Sequence, residues 1–156
     1  MKNKSFSVEE VISGGGGLFP TNSMLFLTSL VKKMPDFYMN APIGDYPITI
    51  FLALKGDVYY IDRCMSVYRY MTEGSWTRRM SMNYKARIEH TEKIGNMLRE
   101  IDKYTDYRYT NTINDTIWQM EFELLQENFN IKQLKLAKYN KYYCKLSFRQ
   151  KARIYI

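Results

Sequence analysis

The sequence predicts an α+β protein, with a small mixed segment over residues 1–77 and a helical segment over residues 78–156. Two observations predict this division. Up to residue 77, short runs rich in β-branched and aromatic residues are punctuated by Gly- and Pro-bearing turns. Beyond residue 83, apolar residues recur at three- and four-residue spacing, the mark of amphipathic helices. A polar, basic stretch over residues 74–82 separates the two segments.

Residues 1–6 are polar and are expected to be loose. Ser7-Val8-Glu9-Glu10 is a capping box: Ser7 and Glu10 can each satisfy a backbone donor of the other, which opens a helix to about residue 12. Gly14-Gly15-Gly16-Gly17 then stops it. Such a run is costly in entropy, and it reads either as a flexible connector or as a backbone lining for a substrate pocket. Residues 21–27 suit a strand, 28–33 a turn or two of helix ended at Met34-Pro35-Asp36, and 37–43 a loop.

The run between Asp45 and Gly56 suits a short apolar helix, with Asp45 as its cap and Pro47 in its first turn. Gly56 is placed to end that helix in a left-handed conformation. Residues 58–61 and 64–70 read as strands, and 78–83 as an irregular connection. Long helices are expected over 84–104, 112–128 and 131–143, with a loop over 126–130 and a last short helix over 148–156.

A chain of 156 residues, 46% hydrophobic and 25% charged, supports one domain with a modest core. The net charge of +7 favours anionic partners. Its source lies late: residues 132–153 carry eight Lys or Arg and no acid. No nucleic-acid motif accompanies this run, so nucleic acid is not an expected partner. Cys64 and Cys144 form no metal-binding spacing, and His90 stands alone in a charged helical stretch, so no metal site is expected. There is no membrane-spanning run and no signal-peptide pattern, which points to a cytoplasmic protein.

One stretch carries more chemistry than the rest. It contains Gly44-Asp45-Tyr46-Pro47, Tyr60-Ile61-Asp62, Tyr68-Arg69 and Gly74-Ser75-Trp76, preceded by the glycine run and Thr21-Asn22-Ser23-Met24. In order and spacing these residues resemble the second, acceptor-side half of the family 2 glycosyltransferases, the inverting enzymes of the GT-A fold. The resemblance covers roughly residues 7–80. It implies a partial GT-A-like segment, with residues 78–156 as a helical extension.

The resemblance further implies roles. Asp45 would be the general base that deprotonates an acceptor hydroxyl, although a plain helix cap also explains an acid at that place. Gly16, Gly17 and Asn22 would line the acceptor loop. Arg69 would offer two donors to a diphosphate, or else pair with Asp45 or Asp62. Ser75 and Trp76 would belong to a loop at the sugar or base, with Trp76 otherwise a hydrophobic anchor. Asp57 and Asp62 read as turn residues.

Departures from the family are equally informative. The chain contains no Asp-x-Asp motif and no βαβ series ahead of Gly14. Met71 stands two residues after Arg69, where many members of the family have His, and a thioether is a poor ligand for a hard cation. A divalent cation, Mg or Mn, and a nucleotide sugar are implied for a full-length relative, with no cofactor held by this chain. The expectation is therefore the C-terminal part of a hexosyltransferase-like enzyme, from a truncated gene or an expressed fragment, inactive alone. Its acceptor would be a sugar or a lipid-linked glycan of a bacterial cell-surface polysaccharide. An open sheet edge would favour self-association. The alternative is a non-catalytic binding module whose basic tail engages an anionic membrane surface, peripheral at its inner face, or a protein partner.

Overall fold

In a computed structural model, residues 2–128 and 131–155 are described. The expectations for Met1, for residues 129–130 of the loop and for Ile156 as a helix end lie outside the described residues. The architecture is α+β in the coarse sense, with helices around one two-stranded antiparallel sheet.

The first helix, α1 (Val8–Gly14), starts as its residues dictate. The Glu10 amide donates to Ser7 Oγ at 3.2 Å, the Ser7 amide donates to the Glu10 carboxylate at 2.9 Å, and Lys4 Nζ reaches the same carboxylate at 2.7 Å. The lysine contact and the Ser7 amide hold the Glu10 carboxyl below its usual range. Gly15 closes α1 at φ +68°, a conformation glycine adopts without strain.

Residues 4–6 are not loose. Strand β1 (Lys4–Phe6) pairs with β2 (Val58–Tyr60), Phe6 opposite Val58 and Lys4 opposite Tyr60. The cause is Phe6, whose ring meets Phe19 edge-on at 5.0 Å and Tyr60 at 6.2 Å. That burial needs partners far along the chain, so no local pattern announces it.

The strands expected over 21–27 and 64–70 do not form. Thr21–Ser23 is a 3-10 turn, Met24 and Leu27 are extended, and residues 61–70 are irregular and exposed throughout. Both stretches have strand-like composition, but a strand persists only where another supplies the other half of its ladder. The 3-10 turn Thr28–Val31 matches expectation.

Residues 37–43 are not all loop. Helix α2 (Asp36–Met39) makes one turn that buries Phe37 beside Phe51 and Tyr104. Helix α3 (Asp45–Ala53) follows, apolar on several sides, with Tyr46, Pro47, Ile50, Phe51 and Ala53 buried. Its end needs no left-handed residue. Gly56 does not have positive φ, and the last carbonyls are met by the amides of Leu54, Lys55 and Gly56. The stretch 78–83 also belongs mostly to a helix, α4 (Trp76–Ser81), capped by Ser75 Oγ on the Arg78 amide.

Helix α5 (Tyr84–Tyr104) has the bounds its periodicity predicts, with Asn83 as cap, and lies antiparallel to α6 (Thr110–Glu127). Ile94, Met97, Leu98 and Ile101 of α5 join Ile113 and Ile117 of α6. The same cluster takes in Val11, Ile12, Tyr46, Ile50 and Phe51, so one hydrophobic core is built from residues on both sides of position 77. Helix α1 touches both α3 and α6. The buried Tyr46 hydroxyl donates to the Ile12 carbonyl, and burial pushes its phenol pKa up.

The helix expected over 131–143 is broken into α7 (Ile131–Leu134), a 3-10 turn (Ala137–Tyr139) and α8 (Asn140–Lys145), followed by α9 (Phe148–Tyr155). Leu134 and Tyr139 are both buried against Phe122. Five residues of straight helix would turn them about 140° apart, and the extended residue Leu136 lets both face inward. Tyr139 and Lys138 both donate to Glu121, at 2.6 and 2.8 Å, and Tyr142 donates to the Asp115 carbonyl at 2.7 Å.

Two outcomes follow. Tyr46→Phe removes one of the two donors to the Ile12 carbonyl, which keeps the Gly15 amide at 3.3 Å, and lowers stability by about 0.5–1.5 kcal/mol, read as a lower urea midpoint; an unchanged midpoint contradicts the role of this bond. Burial opposes ionisation of Glu121, but the bonds from Lys138 and Tyr139 outweigh it and hold the carboxyl below its ordinary value. Its contribution to tail docking is present above the ordinary carboxylate pKa and is lost as pH falls through the lower folded value. Fluorescence of Trp118, which packs on this cluster, should report that acid transition, and Glu121→Gln should abolish it.

Candidate functional site

The strongest convergence of sequence motifs is at the start of α3. Gly44 is the residue before the helix, with no side chain to cap it, and Asp45 is the first helical residue rather than the cap itself. Its half-buried carboxylate is nevertheless held. Oδ1 accepts from the Tyr46 amide at 2.8 Å and Oδ2 from Thr21 Oγ1 at 3.1 Å. Both bonds favour a negative charge at the positive end of a helix. Thr49, one turn on, donates to the Asp45 carbonyl at 2.7 Å and reaches Met24 Sδ at 3.7 Å.

The glycine run meets the same place from another direction. A Cβ on Gly16 would sit 3.2 Å from Ile43 Cδ1, 3.5 Å from Tyr46 Cβ and 3.9 Å from Asp45 Oδ1. Gly16 is therefore small because the backbone passes close to the Asp45 turn. Gly17 has open space around it. Asn22 is exposed in the turn whose first residue, Thr21, holds Asp45. The structure thus brings together Gly16, the 21–23 turn and Asp45.

The other expected site residues lie elsewhere. Arg69 is exposed in the irregular stretch after β2 and forms no ion pair with Asp45 or Asp62 among the described residues. Ser75 is spent as the cap of α4. Trp76 rests edge-on against His90 at 5.2 Å, half-exposed, which makes it an anchor between α4 and α5. Burial and then Lys93 lower the His90 pKa. Asp57 and Asp62 are exposed beside β2, and the Asp62 amide is tied to the Asn3 side chain at 2.8 Å.

Thr21 stood in the sequence only as part of the motif Thr21–Met24, with no link to Asp45, and Thr49 was not singled out. Nothing local links residue 21 to residue 45, since the bond depends on how the glycine run turns the chain. Beside this site opens a groove of about 500 Å³ whose walls include Phe19, Met24, Leu27, Leu52, Tyr60 and Met65, with Thr49 joining it to the Asp45 turn. Among the described residues, no three His, Cys, Asp or Glu side chains are grouped as a metal ion requires.

Comparison with protein-family models, curated proteins and solved structures finds no match. Among the described residues, no helix is long and apolar enough to cross a membrane.

Thr21→Val keeps the shape of the side chain and removes its donor. Amide exchange over residues 22–24 should quicken several-fold while global stability changes by less than about 1 kcal/mol, as for an exposed hydrogen bond. Unchanged exchange would show that the bond does not hold the turn.

Proposed function

We propose that this chain supplies the acceptor side of an inverting, nucleotide-sugar-dependent glycosyltransferase of the GT-A type, with Asp45 as general base. The observation that carries the proposal is the convergence of Gly16, the Thr21–Ser23 turn and Asp45 around one carboxylate at a helix start. Asp45 lies 24 residues beyond Thr21, and all three motifs belong to the set on which the family resemblance rests.

In the proposed reaction, Asp45 takes the proton of an acceptor hydroxyl as that oxygen attacks the anomeric carbon of the donor sugar in line. The C–O bond to the nucleoside diphosphate breaks, the diphosphate leaves with the electron pair, and configuration inverts. Thr21 and the Tyr46 amide orient the carboxylate. No donor-nucleotide site and no metal step are assigned to these residues. The acceptor is a sugar or a lipid-linked glycan.

A second feature supports the division of labour. Leu25 is 99% and Val67 87% exposed, and Leu27, Met65 and Tyr68 are also in solvent, on irregular segments with strand-like composition. Apolar surface of this kind marks an interaction face, here the seam for a donor-binding half. The competing reading, a binding module in which Asp45 only steadies the helix start, is favoured by the same two hydrogen bonds.

The isolated chain should give no saturable calorimetric isotherm with UDP or GDP plus Mn²⁺, and it should self-associate as concentration rises in sedimentation. Joined to the donor half of a family 2 enzyme, it should turn over nucleotide sugar with transfer to an acceptor. A micromolar isotherm from the isolated chain, or no transfer from well-folded joined proteins, contradicts the proposal.

A further inference from the structure

The eight cations of residues 132–153 are not equivalent once the chain is folded. Lys138 and Lys141 are turned to α6, where they pair with Glu121 and Asp115. Lys151 lies over the Tyr143 ring and reaches the Cys144 carbonyl at 3.4 Å. Lys132, Lys145 and Arg149 are exposed and have no partner among the described residues. Between the last two stands Phe148, 87% exposed at the start of α9.

The tail that carries them is not a loose charged extension. Leu134 and Tyr139 are buried on Phe122, Tyr142 is bonded to the Asp115 carbonyl, and Ser147 and Gln150 form a capping pair that sets α9. Lys145, Phe148 and Arg149 therefore sit at a folded junction between α8 and α9. No acid is interspersed, so their field is not cancelled locally.

We propose that this junction is a docking surface for an anionic lipid bilayer, with Lys145 and Arg149 at the headgroups and Phe148 entering the interfacial layer. Charge complementarity selects an anionic partner, since clustered Lys and Arg are drawn to such surfaces. Phe148 selects lipid over nucleic acid. It is one apolar ring set among cations, as in interfacial anchors, whereas strand binding uses successive aromatic platforms, and the nearby Tyr139 ring is buried. This inference is independent of the transferase reading.

The test is flotation of the full chain with phosphatidylcholine vesicles, with and without phosphatidylglycerol. Binding is expected only with the anionic lipid and should fall as salt rises. Replacing Lys145 and Arg149 together by Gln should weaken it by roughly fivefold per cation, about twenty-five-fold in all. Replacing the exposed Lys32 and Lys103 by Gln removes the same charge from segments that carry none of the proposed contacts and should change binding by less than about threefold. Phe148→Ser should weaken binding while keeping its salt dependence. The proposal is overturned by no flotation at low salt, by equal loss in the two double variants, or by tighter binding to a short RNA than to the vesicles.

Discussion

The fold depends on Val11 and Ile12 of α1 standing between α3 and α6. Both are buried almost completely, and the Ile12 carbonyl takes the hydroxyl of Tyr46, itself buried on α3. Burying two branched aliphatic side chains contributes about 3–6 kcal/mol before entropy is counted. The hydroxyl matters in a different way, because it is itself buried and finds its partner in the Ile12 carbonyl, which the Gly15 amide shares at the end of α1. A seven-residue helix is too short to be stable alone. It holds because it is capped at one end and gripped from two sides.

That grip places the candidate site. Tyr46 fixes the first turn of α3 against α1, and α1 runs directly into the glycine run that bends past Asp45. The turn at residues 21–23 is then delivered to the carboxylate, and Thr21 closes the arrangement. The core and the site are linked through adjacent residues: Tyr46 faces inward to Ile12, while Asp45 faces the glycine run and the turn. Farther from the wedge, the tail is held by a smaller cluster around Phe122 and by its own ion pairs, and it keeps its remaining cations in solvent.

What was legible in the sequence was what neighbours decide. The Ser7 and Glu10 box, the bounds of α5 and the short turn at 28–31 all rest on residues within a turn or two of each other. What was not legible depends on distant partners. Phe6 forms a strand because Tyr60 and Phe19 receive it, residues 64–70 fail to form one because nothing receives them, and the helix after residue 131 breaks so that Leu134 and Tyr139 can share Phe122. The site divides along the same line. Asp45 and the glycine run stand out as residues, but their meeting through Thr21 is a property of the folded chain, as are the bond of Ser75 to the Arg78 amide and the contact of Trp76 with His90.

The central claim is that the carboxylate at the start of α3 is a base as well as a structural acceptor. It is tested most directly by the turnover of Asp45→Asn and Asp45→Ala in the chain joined to a donor half. Asn can keep both contacts, accepting from the Tyr46 amide and donating to Thr21, so its stability should stay within about 1 kcal/mol of the parent. Asn cannot take up a proton, so turnover should fall by about 10²–10⁴, while Asp45→Ala should lose stability and turnover together. Normal turnover in a folded Asp45→Asn protein would contradict the claim and leave Asp45 as a structural residue alone.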